Sequence, residues 1–192
     1  QPPETAGKMV TASPGASAYG QPVTLTATVF NGNAPTGFVE FSANDFYIAG
    51  CESVALTGGQ AQCVTSALPI GTNTLKATYG GDTGNAASSG TLSYEVTRAT
   101  VTLTITAHTP DPSAVLSPVM VSVALVVAPG TGTPTGTVAV SRGVDGCTIT
   151  LPATSCSFSP RVAGTAAIAA QYGGDANFAP QSAAPVSHTT TA

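Results

Sequence analysis

Four cysteines are the residues of this sequence whose chemistry is most restricted by their positions. Cys51 and Cys63 lie in the first half of the 192-residue chain, and Cys147 and Cys156 lie in the second. Four cysteines allow three pairings, but one close pair in each half favours two local disulfides, Cys51 with Cys63 and Cys147 with Cys156. Each bridge closes a loop of about ten residues, which adds about 2 to 3 kcal/mol in the chain-entropy model and indicates an oxidising compartment.

A zinc site is the alternative use of these cysteines. Such sites usually place cysteines in CxxC pairs or beside histidines, and the four cysteines show neither pattern. We therefore expect no metal site at the cysteines, and the sequence names no cofactor.

Asp82 and Asp175 offer a second type of cation chemistry. Each lies in a glycine-rich loop where carboxylates and carbonyls could converge on calcium. One carboxylate per loop is a poor cage, because calcium takes about six to eight oxygen ligands. The sequence favours a structural role instead, in which the aspartate accepts hydrogen bonds from backbone amides and holds the turn.

No catalytic constellation can be assembled from the remaining polar residues. His108 and His188 are single, in Thr- and Ser-rich segments typical of a surface, and neither has an evident nucleophile and orienting acid. The nine acids are scattered, so no pair suggests the two carboxylates of a glycoside hydrolase. We expect no enzymatic activity and name no catalytic residue.

The elements that position these residues come from a sequence that occurs twice. Tyr-Gly-Gly-Asp stands at residues 79–82 and again at 172–175, and Pro-Thr-Gly stands at 35–37 and 134–136. The repeat predicts two domains, residues 1–97 and 98–192, each large enough for one hydrophobic core. Residues 1–8 are polar and predict a linker or frayed start.

Composition excludes several classes of protein. Charged residues make up 7% of the chain and the net charge is -4, so no basic stripe is available to bind nucleic acid. The 42% content of apolar residues argues against disorder. No apolar run reaches the roughly 20 residues of a membrane span, and the opening residues do not resemble a signal sequence. We expect no membrane insertion and, if the protein is exported, a signal that has been removed or that lies outside this sequence.

Alternation of apolar and hydroxyl residues predicts β-strands throughout. Between residues 23 and 30, Val, Leu, Ala and Val alternate with threonines, which indicates a half-buried strand. Similar runs, with a further strand around residues 9–12, predict about seven strands in each half and no helix. Residues 31–33, Asn-Gly-Asn, are expected to turn the chain.

Residues 53–56 and 61–65 predict a hairpin across Gly58-Gly59. Pairing Val54 with Cys63 keeps the apolar residues on one face but leaves Cys51 one residue out of step. An irregularity is therefore expected before Ser53.

Recurring motifs carry a resemblance to a known family: Pro-Val-Thr-Leu-Thr-Ala-Thr-Val, Pro-Thr-Gly-x-Val, Gly-Thr-x-x-Leu-x-Ala-x-Tyr and Tyr-Gly-Gly-Asp-Ala-Asn-Phe-Ala. Through these motifs the sequence resembles bacterial immunoglobulin-like (Ig-like) domain repeats. The resemblance occurs once in each half, so that two repeats cover nearly the whole chain. The resemblance implies an all-β fold of two tandem seven-stranded Ig-like Greek-key β-sandwiches. It also implies a bacterial cell-surface or secreted context and no catalytic residue.

The sequence differs from antibody-type Ig domains. It contains no Trp, and it has no cysteines placed far apart to bridge the two sheets. The core is expected to rest on small aliphatic residues and a few aromatics: Phe38, Phe41, Tyr79, Phe158 and Tyr172.

Residues 44–50 form an insertion that the second half lacks. Phe46, Tyr47 and Ile48 cluster there, and exposed aromatics at such a place make a contact patch. The alternative is that alternation buries Phe46 and Ile48 and leaves only Tyr47 outside. The pattern alone favours this second interpretation.

Three hypotheses for function follow. The first is a non-enzymatic spacer or stalk in an adhesin-type protein, monomeric and joined to neighbouring Ig-like repeats in a longer chain. The second is a module that binds a host or matrix protein or a glycan through Phe46 and Tyr47. The third is a pair of accessory domains in a larger exported enzyme.

Overall fold

The alternating segments form β-strands over the described part of the chain. The structure, a computed structural model, describes residues 7–30 and 34–192. The chain divides into two compact units, residues 1–97 (unit 1) and 98–192 (unit 2). All regular structure in the described residues is strand, and these residues include no helix able to span a membrane. The predicted turn at 31–33 and residues 1–6 of the predicted linker lie outside the described residues, whereas residues 7 and 8 already belong to a strand.

Unit 1 forms two sheets. The smaller sheet has the order β1-β3-β7, and the larger has the order β2-β9-β8-β4-β5, with β6 also paired to β4. Neighbouring strands are antiparallel apart from β2, which pairs with β9 in parallel. The strands of its described residues are β1 (Gly7–Ser13), β2 (Ser17–Ala18), β3 (Val23–Phe30), β4 (Phe38–Ala43), β5 (Phe46–Tyr47), β6 (Val54–Ala55), β7 (Gln60–Thr65), β8 (Gly71–Tyr79) and β9 (Ser88–Thr97).

Unit 2 repeats this arrangement. Its smaller sheet has the order β10-β12-β15, and its larger sheet has the order β11-β18-β16-β13-β14, with β17 also paired to β16. Its strands are β10 (Val101–Thr109), β11 (Ser113–Ala114), β12 (Val119–Val127), β13 (Thr137–Arg142), β14 (Asp145–Thr150), β15 (Ser155–Phe158), β16 (Gly164–Tyr172), β17 (Gln181–Ser182) and β18 (Val186–Thr191). The two-sheet, all-β architecture predicted for each half is confirmed.

Strand β3 shows how alternation builds the core. Its apolar residues Val23, Leu25, Ala27 and Val29 are buried, while the threonines between them are half-buried on the outer face. This is the expected result for a strand with one face toward the opposite sheet.

The aromatic core differs from the prediction at one position. Four of the predicted residues are buried, but Phe38 is exposed, because Val39 and Phe41 take the inward positions of β4 and leave Phe38 and Glu40 outside. Two aromatics that the sequence analysis did not name, Tyr94 and Phe178, are also buried.

The predicted hairpin of residues 53–56 with 61–65 is confirmed only at its turn, where Thr57 and Gln60 exchange backbone hydrogen bonds of 2.8 and 3.1 Å across Gly58-Gly59. The pairing of the flanking strands is wrong. Strand β6 pairs with β4, with Val54 opposite Val39, whereas β7 pairs with β3, with Cys63 opposite Leu25. The chain therefore passes from one sheet to the other between β6 and β7. The irregularity expected before Ser53 depended on this strand pairing and is therefore absent from it; the register change in this region is on β4, between its pairings with β5 and β6.

This crossing makes each disulfide a link between sheets. Cys51 lies beside β4, since its carbonyl accepts a hydrogen bond from the Phe41 amide at 3.0 Å, and its partner Cys63 lies in β7 of the other sheet. In unit 2, Cys147 lies in β14 and Cys156 in β15, which also belong to different sheets. The Cα atoms are 5.9 and 6.0 Å apart in the two bridges. The expectation that no cysteine pair bridges the sheets is therefore wrong, because a crossing connection brings close cysteines to opposite sheets.

Candidate functional site

A two-residue turn at the tip of β4 and β5 positions the predicted contact residues. Asn44 and Asp45 have φ angles of 50° and 68°, and Asn and Asp are among the few non-glycine residues that adopt this left-handed conformation readily. The turn closes an antiparallel pair with Ala43 opposite Phe46 and Ser42 opposite Tyr47. Both aromatics thus stand in an edge strand immediately after the turn.

The turn is fixed to the rest of unit 1 by side-chain hydrogen bonds. The Asn44 side chain accepts a hydrogen bond from the Thr74 amide at 2.9 Å and donates one to Asn73 Oδ1 at 2.9 Å. Asn73 is buried, and its Nδ2 donates to the carbonyls of Pro69 and Gly71 at 2.8 and 3.0 Å. The turn and the segment before β8 are therefore held in one arrangement.

Both predicted contact residues are exposed. The exposed fractions are 79% for Phe46 and 65% for Tyr47, against 7% for Ile48. The interpretation that Phe46 is buried is wrong, because β5 is two residues long and pairs only with β4. Ile48 is buried, as that interpretation expected.

A groove of about 410 Å³ lies beside the two aromatics. It is lined by residues 43–44 and 46–49 on one side and by Thr65, Ala67, Leu68 and Pro69 on the other. Most of this lining is apolar, and the hydrogen bonds around Asn44 and Asn73 join its two sides. We call it the aromatic groove. Its size and lining suit an apolar side chain or a small ring.

The corresponding corner of unit 2 has a different chemistry. Its turn lies between Arg142 and Asp145, which are paired across β13 and β14 as Ala43 and Phe46 are across β4 and β5. The buried Arg142 guanidinium donates to the carbonyls of Gly164 at 2.6 Å and Val162 at 3.4 Å. Where unit 1 has an apolar groove with two aromatic rings, unit 2 has a buried charge and an exposed Val144.

The two loop aspartates, for which calcium binding was the alternative to a structural role, act as hydrogen-bond acceptors. Asp82 accepts hydrogen bonds from the Thr36 amide and hydroxyl at 2.8 and 3.1 Å and from the Tyr79 hydroxyl at 2.9 Å. It also accepts from the amides of Gly84 and Asn85, both at 2.8 Å. These donors, with the Thr36 amide contributing most, hold the pKa of Asp82 well below its usual range.

Asp175 repeats the arrangement in unit 2. It accepts from the Thr135 amide and hydroxyl, both at 2.8 Å, and from the amides of Asn177 and Phe178, also at 2.8 Å. Burial opposes its ionisation, but these hydrogen bonds outweigh that effect and lower its pKa to about 2. We call each aspartate with its donors an aspartate latch. Because donors surround both oxygens, the geometry favours the structural role over calcium.

The tyrosine that precedes each latch is a buried part of the core. Tyr79 donates its hydroxyl proton to Asp82, and Tyr172 donates to the Thr135 carbonyl at 2.9 Å. Burial, followed by the neighbouring aspartate, raises the pKa of both tyrosines to about 12. Each tyrosine therefore stays protonated at neutral pH and ties β8 or β16 to the loop that precedes β4 or β13.

The two histidines lie together, contrary to the sequence analysis. His108 Nδ1 is 3.2 Å from His188 Nδ1, and Asp111 lies beside both rings. His188 is fully buried rather than on the surface. Burial lowers the pKa of His188 although the Asp111 charge opposes the shift. No local pattern indicates this pairing, because the two residues are 80 positions apart.

A model of the bacterial Ig-like domain (group 3) matches residues 10–106, about half of the chain. The chain belongs to this bacterial Ig-like family. The match includes the turn at residues 44–45, the first aspartate latch and the first disulfide, and it ends within β10. A comparison with curated proteins found no match.

Solved structures similar to this bacterial Ig-like chain include fibronectin(III)-like modules and two adhesins. Fibronectin(III)-like modules of CbhA from Clostridium thermocellum are 20% identical over 95% of each chain, with a TM-score of 0.38. The adhesin InvE of Yersinia pseudotuberculosis is 14% identical over 94% of this chain and 58% of that one, with a TM-score of 0.44. The Escherichia coli adhesin FdeC is 13% identical over 98% and 66%, with a TM-score of 0.36. At these identities the likeness concerns the fold alone.

Proposed function

We propose that this bacterial Ig-like chain is a non-enzymatic spacer segment of an exported adhesin-type protein, located outside the cell or at its surface. In this proposal the two units are independently folding domains, residues 1–97 and 98–192, which adjoin further Ig-like repeats. The observation that carries the proposal is the disulfide between the two sheets of each unit. A spacer must keep its domains folded under load, and a covalent link between sheets prevents their separation at that corner.

Two further features support this function. Disulfides persist in oxidising compartments, which agrees with export. The carboxylates of Asp82 and Asp175 each accept several hydrogen bonds that hold a turn. They are therefore poorly placed for acid-base catalysis. In this role these polar contacts stabilise the fold of both units.

A second candidate function is contact with a host or matrix protein, or with a glycan, through the aromatic groove. It is favoured by the exposure of Phe46 and Tyr47 beside an apolar groove, a combination that the corresponding corner of unit 2 does not repeat. Aromatic side chains often dominate binding energy where a partner covers them. The Asn44 and Asn73 hydrogen bonds fix the groove in advance, which lowers the entropic cost of binding.

A double variant separates the two functions. Phe46→Ser with Tyr47→Ser, introduced into the protein that carries this segment, leaves bacterial adherence and glycan-array binding within about twofold if the segment is a spacer. A contact site loses about tenfold or more, since two exposed rings account for at least 1.4 kcal/mol in that case.

The matched control for this experiment is Val144→Ser. Val144 is 88% exposed at the tip of the corresponding turn in unit 2, so its replacement removes exposed apolar surface without touching the groove. A tenfold loss in the double variant with an unchanged control contradicts a purely spacing role. Equal losses in both variants indicate a general surface effect and contradict the contact site.

A further inference from the structure

Three potential metal ligands meet at one corner of unit 2. His108 lies near the end of β10, Asp111 lies in the turn that follows, and His188 lies in β18. The two Nδ1 atoms are 3.2 Å apart, and Asp111 oxygens lie 3.4 Å from His188 Nδ1 and 3.8 Å from His108 Nδ1. One potential ligand atom from each residue lies within 4.8 Å of the others. The residues come from separate parts of the chain, and the fold brings them together.

These distances suit a tetrahedral transition-metal ion. Zinc binds imidazole nitrogen and carboxylate oxygen at about 2.0 to 2.2 Å, so two ligand atoms on one tetrahedral ion are about 3.3 Å apart. The distances from His188 Nδ1 to His108 Nδ1 and to Asp111 Oδ1 lie near this value, and the distance of 3.8 Å from His108 Nδ1 to Asp111 Oδ2 is about 0.5 Å longer. Two imidazole nitrogens that face each other at 3.2 Å must share either a proton or a cation, because their lone pairs otherwise repel.

The surroundings hold two of the three ligands in position. His188 Nε2 is 2.9 Å from the hydroxyl of the buried Ser113, which can accept the Nε2 proton and leave Nδ1 free for a metal. The Thr189 amide donates to Asp111 Oδ1 at 3.0 Å and fixes the carboxylate. Asp111 is exposed and His108 is partly exposed, so an ion can enter from solvent and keep a water as its fourth ligand.

Unit 1 shows that the fold does not need these residues. Its strand register places Ala12 where unit 2 has His108 and Tyr94 where unit 2 has His188. Tyr94 is buried there, and its hydroxyl donates to the Pro14 carbonyl at 3.0 Å. An apolar and aromatic pair therefore closes this corner of the sandwich in one repeat, which argues that the histidines of the other repeat have a separate purpose.

We propose that His108, Asp111 and His188 form a binding site for a divalent transition-metal ion of the zinc, copper, nickel or cobalt type. Two imidazoles and one carboxylate favour these ions over calcium and magnesium, which prefer oxygen ligands alone. A bound ion links the end of β10 to β18, that is, the first strand of unit 2 to its last. Strands β10 and β18 lie toward one edge of the two sheets, whereas the disulfide strands β14 and β15 lie at the other edge. The ion thus stabilises the side of unit 2 that the disulfide does not link.

The test uses the full chain without a histidine tag. Zinc chloride is titrated by calorimetry, and cobalt chloride is titrated by visible absorption, where tetrahedral nitrogen and oxygen ligation gives intense bands. The chain has two histidines, so proton NMR follows both rings directly. We expect one ion per chain, shifts of both histidine signals, and a higher unfolding temperature of unit 2 with zinc.

Three variants make the result decisive. His108→Ala and Asp111→Asn are each expected to weaken zinc binding at least tenfold, and both positions are partly or fully exposed, so folding should be retained. The triple variant His108→Ala, Asp111→Gly, His188→Tyr copies the residues of unit 1 and should fold without binding. Absence of binding in the parent chain, or binding that these variants leave unchanged, overturns the proposal. Absence of binding in the parent chain means that His108 and His188 share a proton instead of a metal ion.

Discussion

Replacement of Cys147 and Cys156 by serine is expected to lower the free energy of unfolding of unit 2 by about 3 kcal/mol. The bridge closes a loop of 9 residues, and loops of this size restrict the unfolded chain by about that amount in the chain-entropy model. Because the bridge joins β14 to β15 across the two sheets, its loss also frees them to separate. The unfolding temperature should fall by about 12 °C or more, measured by urea and thermal unfolding with NMR resolving the two units.

Unit 1 is the internal control for this experiment. Its own bridge, Cys51 to Cys63, is unchanged in the variant, so its unfolding midpoint should stay the same. The matching variant Cys51→Ser with Cys63→Ser should produce a loss of similar size in unit 1, since that loop spans 12 residues. A loss below about 0.5 kcal/mol in both variants contradicts a stabilising role for the bridges.

Acid should weaken both units through the aspartate latches. The pKa of Asp175 falls from an ordinary value of 3.8 to about 2 in the folded chain, and Asp82 shifts in the same direction. A carboxylate with a lowered folded pKa contributes stability above its unfolded pKa and loses it as the pH falls through the folded pKa. The free energy of unfolding should therefore decline between about pH 4 and pH 2.

Asp175→Asn tests this origin of the acid sensitivity. The amide nitrogen of Asn faces donors that the carboxylate now accepts from, so stability of unit 2 at pH 7 should fall by about 1 to 2 kcal/mol. Its decline between pH 4 and pH 2 should become shallower than in the parent chain. Urea unfolding at pH 7, 4 and 2.5 measures both effects.

Asp45→Asn is the control for charge removal. Asp45 is exposed in the left-handed turn, a conformation that Asn also adopts, and the change should cost less than about 0.5 kcal/mol. If Asp175→Asn leaves both the neutral-pH stability and the acid slope unchanged, the latch makes no contribution to stability.

The strands could be predicted from the sequence because their signal is local. Each strand shows its own alternation, as β3 does from Val23 to Phe30, and the repeated turns divide the chain at the same places twice. Alternation alone does not determine which strands pair with each other. The segments 53–56 and 61–65 have the pattern of a hairpin, yet they lie in different sheets, because a crossing connection uses the same residues as a turn.

The candidate sites depended on contacts between distant positions. The dipeptide Asn44-Asp45 was a local signal for the turn that exposes Phe46, since both residues tolerate positive φ. The support from Asn73, which fixes the groove, lies 29 residues away. The histidine pair is separated by 80 residues, and only the return of β18 beside β11 reveals it.

The most direct test of the spacer function is an exchange of the segment in the protein that carries it. Residues 7–192 are replaced by two unrelated bacterial Ig-like repeats with disulfides, and surface display and bacterial adherence are measured together. The account predicts that display and adherence both stay within about twofold of the parent, whereas deletion of the segment lowers adherence. A tenfold loss of adherence with unchanged display in the exchanged protein would contradict it.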